Sequence, residues 1–149
     1  MDIKMVDLQG QYLRIKNEIG TAIEEVLMST AFIQGPQVKE FAKNLSDYHC
    51  GAHIIPCANG TDALQVAMMA LGLKPGDEII LPVHTYVATA EVIALLGLIP
   101  VFVEVDENTF NIDASQIKDK ITSGTKAIVP VHLYGQCADM TPLLRLAKE

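Results

Sequence analysis

Short apolar runs alternate with helix-like stretches from residue 53 onward, and this alternation constrains the fold more than any other feature of the chain. Three of the runs, 78–82, 100–105 and 126–132, are almost continuously apolar, as strands covered on both faces are. Parallel strands need a crossover long enough to hold a helix, so alternating strands and helices favour a parallel sheet. The sequence therefore predicts an α/β fold with a mainly parallel sheet.

The element boundaries follow from apolar periodicity and from turn residues. The predicted order is strand 53–57, helix 61–71, strand 78–82, helix 86–96, strand 100–105, short helix 113–121, strand 126–132 and a last helix from Asp139. Gly72 and Gly97 close two of the helices, because glycine adopts the left-handed conformation that ends a helix. In open parallel sheets, ligands bind beyond the carboxyl ends of the strands. The loops that follow the strands are therefore the candidate site.

Two helices are predicted before the first strand. Apolar residues at steps of three and four indicate an amphipathic helix over 8–28, whose stripe suits either a buried intrachain face or a dimer contact. Gly35-Pro36 opens the second helix, because proline is favoured at a first helical position. We expect four of its residues to point inward: Val38, Phe41, Leu45 and Tyr48. The chain then divides into an N-terminal helical segment, 1–50, and a sheet-containing segment, 51–149.

Composition excludes several classes of function. The chain has 149 residues, of which 50% are hydrophobic, and a net charge of −7 with no basic stripe, which argues against nucleic acid or an anionic membrane surface as partner. The longest apolar run, 92–103, is well short of the ~20 residues that span a bilayer. Met1–Lys4 does not resemble the start of a signal peptide, and three widely spaced cysteines suit reduced thiols. We therefore expect a cytoplasmic protein.

Residues 54–64 have the pattern of an anion site. A short strand, a turn containing Gly60 and the first turn of a helix follow one another there. The first N–H groups of a helix have no internal partner and carry partial positive charge, so they hold a phosphate without a basic side chain. Thr61 adds a hydroxyl. An ordinary tight turn, with Thr61 or Asp62 as helix cap, explains the pattern equally well.

Other polar residues near the strand ends have two interpretations each. Tyr86 and His84 follow the second predicted strand, where an aromatic ring stacks on a planar ligand or merely covers a helix start. His132 follows the last strand and is more readily explained as a hydrogen-bonded loop residue than as a catalytic one. A zinc site is disfavoured because the spacing of the candidate ligands matches no common pattern: His49, Cys50, His53 and Cys57. We predict no metal.

Seven motifs together identify a family resemblance: Val6–Leu8, Phe32–Pro36, Asn59–Leu64, Pro75–Glu78, Thr85–Glu91, Asn111–Asp113 and Val131–Gln136. In them the chain resembles the DegT/StrS-type sugar aminotransferases, fold-type I enzymes that use pyridoxal 5'-phosphate. The segments 57–65 and 133–139 look most like members that aminate C3 of a UDP-linked 2-acetamido-3-oxo-glucuronate. The fold implied is the N-terminal helices plus part of the large domain.

The resemblance implies site residues and partners. Gly60, Thr61 and the backbone of Asp62 would hold the cofactor phosphate, and Tyr86 would stack on its ring. Four residues would contact the nucleotide-sugar substrate: Thr30, Phe32, Gln34 and His84. Thr30 stands where relatives often have glycine, and His84 where an aromatic is usual. Glutamate would be the amino donor, the product would serve surface polysaccharide or glycoconjugate biosynthesis, and related enzymes are homodimers.

Family members are more than twice as long as this chain. Their Schiff-base lysine and the aspartate that pairs with the pyridinium nitrogen lie beyond the motif that ends here at Gln136, and the resemblance places both beyond Glu149. Residues 141–149 are also predicted to continue as a helix to Glu149, with no C-terminal cap. The chain is thus expected to be an N-terminal fragment that is inactive alone and contains no catalytic residue.

Two alternatives to the aminotransferase remain. One is a sugar dehydratase of the same fold, in which histidine replaces the Schiff-base lysine. The other is a non-enzymatic regulatory protein that binds the cofactor. The residue at the Schiff-base position distinguishes all three.

Overall fold

The computed structural model describes residues 5–149, so the prediction made on Met1–Lys4 lies outside the described residues. Contacts between Cα atoms divide the chain into two compact units, one ending at Pro56 and the other beginning at Cys57. No helix within the described residues combines the length and the hydropathy that a membrane crossing requires.

The first unit contains the two predicted helices, α1 (Leu8–Ser29) and α2 (Pro36–Tyr48). The Asp7 carboxylate caps α1 by accepting a hydrogen bond from the Gly10 N–H at 2.9 Å. Gly35 is the N-cap of α2, and Pro36 occupies its first turn. Both helix predictions are confirmed.

The predicted inward face of α2 is only partly correct. Val38 and Leu45 are half-buried, but Phe41 and Tyr48 are exposed. An apolar side chain is buried only where another element packs on it, and within residues 5–149 nothing covers Phe41 or Tyr48. The stripe of α1 is likewise largely exposed, since this helix has no buried residue.

The second unit is built around a three-stranded parallel sheet. Its strands are β1 (Glu78–Pro82), β2 (Ile99–Val103) and β3 (Thr125–Ile128), in the spatial order β2-β1-β3. Ile80 of the central strand lies opposite Val101 on one side and Ile128 on the other. The predicted parallel sheet is confirmed.

Both faces of β1 are covered. Successive strand residues point to opposite faces, so Ile79 and Leu81 pack into one core and Ile80 into another. The first core also takes residues from α3 (Gly60–Ala70) and α4 (Ala88–Leu95), and the second from α5 (Met140–Leu146). This burial explains why β1 reads as a continuous apolar run.

The order of the strands creates a switch point at β1. The chain leaves β1 through α4 to reach β2, then returns past β1 to β3. Right-handed crossovers that run in opposite directions must lie on opposite faces of the sheet. Accordingly, Val92 and Ile93 of α4 lie in the first core, whereas Ile112 and Ile117 of the second crossover lie in the other core. The crevice at such a switch point is where ligands bind in open α/β sheets.

The predicted strand 53–57 is not formed. Residues 52–57 have no regular structure, and the Ile55 side chain is 78% exposed. A strand exists only when a neighbour satisfies its backbone hydrogen bonds, and no strand of the described sheet pairs with this segment. The segment leading to the predicted anion site therefore has no regular secondary structure.

Several other boundaries shift by a few residues. Helix α4 begins at Ala88 rather than at 86, and β2 and β3 end before residues 105 and 132. The predicted helix 113–121 consists of two 3₁₀ turns, Ala114–Gln116 and Lys118–Lys120. Asp113 starts them as predicted, by accepting from the Ser115 N–H at 2.9 Å. A further short turn, Leu133–Gly135, was not predicted, and its central residue Tyr134 has a left-handed φ of 55°.

The prediction that the last helix continues to Glu149 is wrong. Helix α5 ends at Leu146, with Ala147 as its C-cap. The Lys148 N–H donates to the Arg145 carbonyl at 3.0 Å, three residues back, and the Glu149 N–H shares that carbonyl at 3.3 Å. Bonds to the third preceding residue tighten the last turn of a helix and occupy a carbonyl that would otherwise be unsatisfied. Glu149 is therefore an exposed residue beyond the helix.

We expect the substitution Ile93→Ala to lower the free energy of unfolding by about 2–5 kcal/mol, because it opens a cavity in a fully buried position of the first core. Urea unfolding followed by circular dichroism measures the change. Leu95→Ala is the matched control, since Leu95 lies in the same helix but is 67% exposed. Equal losses for the two variants would contradict this assignment of the core.

Candidate functional site

Asn59 caps the start of α3, where the sequence predicts an anion site. Its side-chain oxygen accepts a hydrogen bond from the Asp62 N–H at 2.9 Å, and its amide nitrogen donates to the Asp62 carboxylate at 3.2 Å. The alternative that Thr61 or Asp62 caps this helix is wrong, because α3 begins at Gly60, one residue earlier than predicted.

The cap leaves two amides for an external acceptor. The Asp62 N–H is engaged by Asn59 and the Ala63 N–H by the Asn59 carbonyl at 3.0 Å, whereas the N–H groups of Gly60 and Thr61 have no partner within the described residues. A Cβ placed on Gly60 would meet no atom within 4 Å. An open space beside two free helix-start amides is suited to a phosphate group.

Three aromatic side chains meet at the carboxyl edge of the sheet, each from the loop that follows a different strand. We call His84, Phe110 and Tyr134 the aromatic cluster. The ring centroids lie 5.8 Å apart for His84 and Phe110, 6.2 Å for His84 and Tyr134, and 5.9 Å for Phe110 and Tyr134. The His84 Nε2 is also within hydrogen-bond distance of the Tyr134 hydroxyl, at 3.2 Å. The cluster therefore joins all three loops at the switch point.

A turn at Asp106 brings Phe110 into the cluster. The Asp106 carboxylate accepts hydrogen bonds from the N–H groups of Thr109 at 2.8 Å and Asn108 at 3.0 Å, and its carbonyl accepts from Phe110. The hydrogen bonds from these backbone donors hold the pKa of the Asp106 carboxyl below its usual value, and the bond from Thr109 has the largest effect. The ionised form of Asp106 is thus the one that shapes this loop.

Asn111 ties the loop after β2 to the loop after β3. Its side chain is 4% exposed, and it accepts a hydrogen bond from the Leu133 N–H at 3.1 Å and donates to the Gln136 carbonyl at 3.2 Å. These two contacts flank Tyr134. A buried amide that uses both its donor and its acceptor fixes the geometry of the groups that it joins.

His132 has a structural partner. Its Nδ1 accepts a hydrogen bond from the Ala138 N–H at 3.0 Å, which places the proton of a neutral imidazole on Nε2. The interpretation of His132 as a hydrogen-bonded loop residue is therefore confirmed.

The structure positions the other predicted site residues less tightly. Tyr86 is exposed in the connection between β1 and α4, and no ring partner for it lies within residues 5–149. Thr30, Phe32 and Gln34 follow α1 in the first unit, where Phe32 is exposed and both Thr30 and Gln34 have a left-handed φ. Their predicted roles as cofactor and substrate contacts stay predictions.

The resemblance implies two further catalytic residues, for which no position in this chain is predicted. The Schiff-base lysine and the aspartate that pairs with the pyridinium nitrogen are expected beyond Glu149, the last residue of the sequence. The identity of the two catalytic residues stays a prediction.

A groove of about 690 Å³ lies beside the aromatic cluster. It includes Asn111 and Gln136, but Gly60, Thr61, His84 and Tyr86 do not line it. No group of three or more potential metal ligands is placed for a metal ion in the part of the chain that the structure describes.

Phe110, Asn111 and Tyr134 were not identified as site residues from the sequence alone. A usable signal existed, because the motifs 111–113 and 131–136 follow consecutive strands of a parallel sheet. Phe110 lies between the predicted strand 100–105 and the motif 111–113, in neither of which it is included.

The model of the DegT/DnrJ/EryC1/StrS aminotransferase family matches residues 13–149. The chain is 49% identical over 147 residues to a protein of Pseudomonas aeruginosa named UDP-2-acetamido-2-deoxy-3-oxo-D-glucuronate aminotransferase. It is 46% identical over 148 residues to the pleiotropic regulatory protein of Geobacillus stearothermophilus.

A solved structure is similar as well. The crystal structure of NtdA from Bacillus subtilis with bound cofactor PMP has a TM-score of 0.85 and 39% identity, over 89% of this chain and 30% of that one. Each curated relative is matched over 99% of this chain, but over only 41% and 40% of its own length. The chain thus spans about two fifths of the curated relatives that it matches.

We expect Asn111→Ala to lower the free energy of unfolding by about 1–3 kcal/mol, because it leaves the Leu133 N–H and the Gln136 carbonyl without their partner. Urea unfolding measures this loss, and hydrogen exchange should show a faster Leu133 amide. The control Asn44→Ala, at an exposed position of α2, should not lower stability. An unchanged Leu133 exchange rate would contradict the role of Asn111.

Proposed function

This chain belongs to the DegT/DnrJ/EryC1/StrS aminotransferase family, and from that premise we propose that it supplies part of the site of a pyridoxal 5'-phosphate-dependent sugar aminotransferase. The reaction would transfer an amino group from glutamate to a nucleotide-linked keto sugar. The 49% identity to an aminotransferase named for a UDP-linked 3-oxo sugar supports this class of substrate. The free amides and open space at the start of α3 are the structural observation that carries the proposal.

The described residues fit the phosphate end of the cofactor. The N–H groups of Gly60 and Thr61 would bind the phosphate, and the Thr61 hydroxyl would donate to a further oxygen. Asp62 would contribute to the phosphate site indirectly, because its hydrogen bonds with the Asn59 side chain shape the first turn of α3. The exposed Tyr86 ring would stack on the pyridine ring and shield it from water. When bound, pyridoxal phosphate supplies the electron sink that amino transfer requires.

The substrate contacts are a separate part of the proposal. His84, at the switch point of the sheet, would contact the sugar. Thr30, Phe32 and Gln34 are proposed as nucleotide-sugar contacts on the strength of the family motif alone. We further propose a cytoplasmic homodimer that acts in polysaccharide or glycoconjugate biosynthesis, and the exposed apolar stripe of α1 is compatible with a contact between subunits.

Regulation is the second candidate function, and a specific observation favours it. A relative that is 46% identical over 148 residues is named a pleiotropic regulatory protein. The residue at the Schiff-base position, expected beyond Glu149, separates the candidates: lysine favours amino transfer, histidine favours dehydration, and a residue capable of neither favours sensing. Borohydride trapping followed by peptide mapping would test whether a lysine there carries the cofactor.

We expect Gly60→Ala to raise the apparent dissociation constant for pyridoxal phosphate by about tenfold or more. The new methyl group would occupy the space proposed for the phosphate, yet it clashes with nothing in the chain and requires no left-handed φ. A ³¹P NMR titration measures the constant. Gly20→Ala is the matched control, because its Cβ also meets nothing within 4 Å. Absence of binding by the wild type, or equal affinities for wild type and Gly60→Ala, would contradict the phosphate site.

We also expect the isolated 149-residue chain to show no turnover of a keto sugar with glutamate and pyridoxal phosphate. Amino transfer needs a lysine amine at the reactive end of the cofactor, and none of the described lysines lies in the loops at the carboxyl edge: Lys16, Lys39, Lys43, Lys74, Lys118, Lys120, Lys126 and Lys148. Mass spectrometry of the sugar after incubation is the measurement. Formation of an amino sugar would contradict this prediction.

A further inference from the structure

We propose that Tyr134 is a positioning residue, which orients the His84 imidazole toward the sugar ring of the substrate, and that Asn111 holds Tyr134 in place. The inference rests on the proposed function, because it assigns the ligand of His84 to the sugar of a nucleotide-linked keto sugar. It adds to that function three residues from two further loops: Phe110, Asn111 and Tyr134.

The contact between His84 and Tyr134 orients the imidazole. The Tyr134 hydroxyl lies 3.2 Å from His84 Nε2, although the two residues are 50 positions apart in the chain. A phenol is a stronger hydrogen-bond donor than acceptor, so donation by the Tyr134 hydroxyl to Nε2 would favour the neutral tautomer that carries its proton on Nδ1. His84 Nδ1 would then meet the sugar as a hydrogen-bond donor, which suits recognition of a hydroxyl or keto oxygen.

The backbone at Tyr134 is held in an unfavourable conformation. Its φ is 55°, in the left-handed region that a bulky side chain rarely adopts. Side-chain burial does not explain this conformation, because Tyr134 is 75% exposed. The two hydrogen bonds of Asn111, to Leu133 and Gln136, bracket the strained residue. A strained backbone conformation is characteristic of functional positions when buried hydrogen bonds maintain it at a residue whose side chain is exposed.

Phe110 shows the same combination of strain and exposure. Its φ is 58°, and the turn stabilised by Asp106 holds it against His84 and Tyr134. The cluster stands at the carboxyl end of β1, the central strand, where two crossovers diverge onto opposite faces of the sheet. A wall of aromatic rings with polar tips suits a sugar, which presents apolar C–H faces and polar hydroxyl edges.

The first test is independent of the proposed function. At a pH where imidazoles are neutral, ¹⁵N shifts of the histidine-labelled chain should show His84 predominantly with its proton on Nδ1, and Tyr134→Phe should shift it toward a mixture of the two tautomers. Tyr134→Phe keeps the ring and removes only an exposed hydroxyl, so folding should be retained. Tyr48→Phe is the matched control, because the Tyr48 ring lies 5.2 Å from that of His49 without a described hydrogen bond to it. An unchanged His84 tautomer in Tyr134→Phe would overturn the inference.

The second test concerns the sugar. Calorimetric titration with UDP-N-acetylglucosamine, relative to UDP alone, isolates the contribution of the sugar ring to binding. We expect Tyr134→Phe to weaken binding of the sugar nucleotide about 2- to 10-fold, as the loss of one orienting hydrogen bond implies, and to leave UDP binding unchanged. Tyr48→Phe should alter neither affinity.

The outcomes separate this inference from the proposed function. Equal affinity of wild type and Tyr134→Phe for the sugar nucleotide, with an altered His84 tautomer, would overturn the assignment of the sugar to His84. Absence of sugar-dependent binding by the wild type would overturn it as well. The ³¹P titration with pyridoxal phosphate does not involve Tyr134, so it reports separately on the proposed cofactor site.

Discussion

Burial of the central strand on both faces is the constraint on which the second unit depends. Ile79 and Leu81 need one layer of helices and Ile80 needs another, so the crossovers before and after β2 must use opposite faces of the sheet. The strand order that results places β1 between β2 and β3, and so directs three loops to one edge. The candidate site is a consequence of how the core is covered.

The two ends of the proposed site use different physical devices. At the start of α3, unpaired backbone amides and the absence of a Cβ at Gly60 make room for an anion, with Asn59 shaping the turn. At the switch point, the surface consists of side chains. The buried Asn111 amide and the turn capped by the Asp106 carboxylate hold Tyr134 and Phe110 in strained backbone conformations. Backbone donors suit a phosphate, whereas aromatic and imidazole groups suit a ring with polar substituents.

The elements that the sequence predicts best are those whose signal is local. Helix α1 is predicted by apolar residues that recur at steps of three and four over a long stretch. Helix α2 is predicted by Gly35-Pro36 at its start, and β1 by an uninterrupted apolar run. The segment 53–57 reads equally well as a strand but forms none, because a strand depends on a partner that local sequence does not reveal. Phe41 and Tyr48 illustrate the same limit for burial, since periodicity identifies a face without identifying what covers it.

The sequence by itself determined the fold class, the family and the candidate anion site, because periodicity, turn residues and ordered motifs are properties of the chain read in order. Only the tertiary structure showed that Asn59 is the cap, that His132 is tied to Ala138, and that His84, Phe110 and Tyr134 meet with Asn111 beneath their loops. The physical reason is distance along the chain. His84 and Tyr134 are 50 residues apart, and only the parallel pairing of β3 with β1 brings their loops to the same edge.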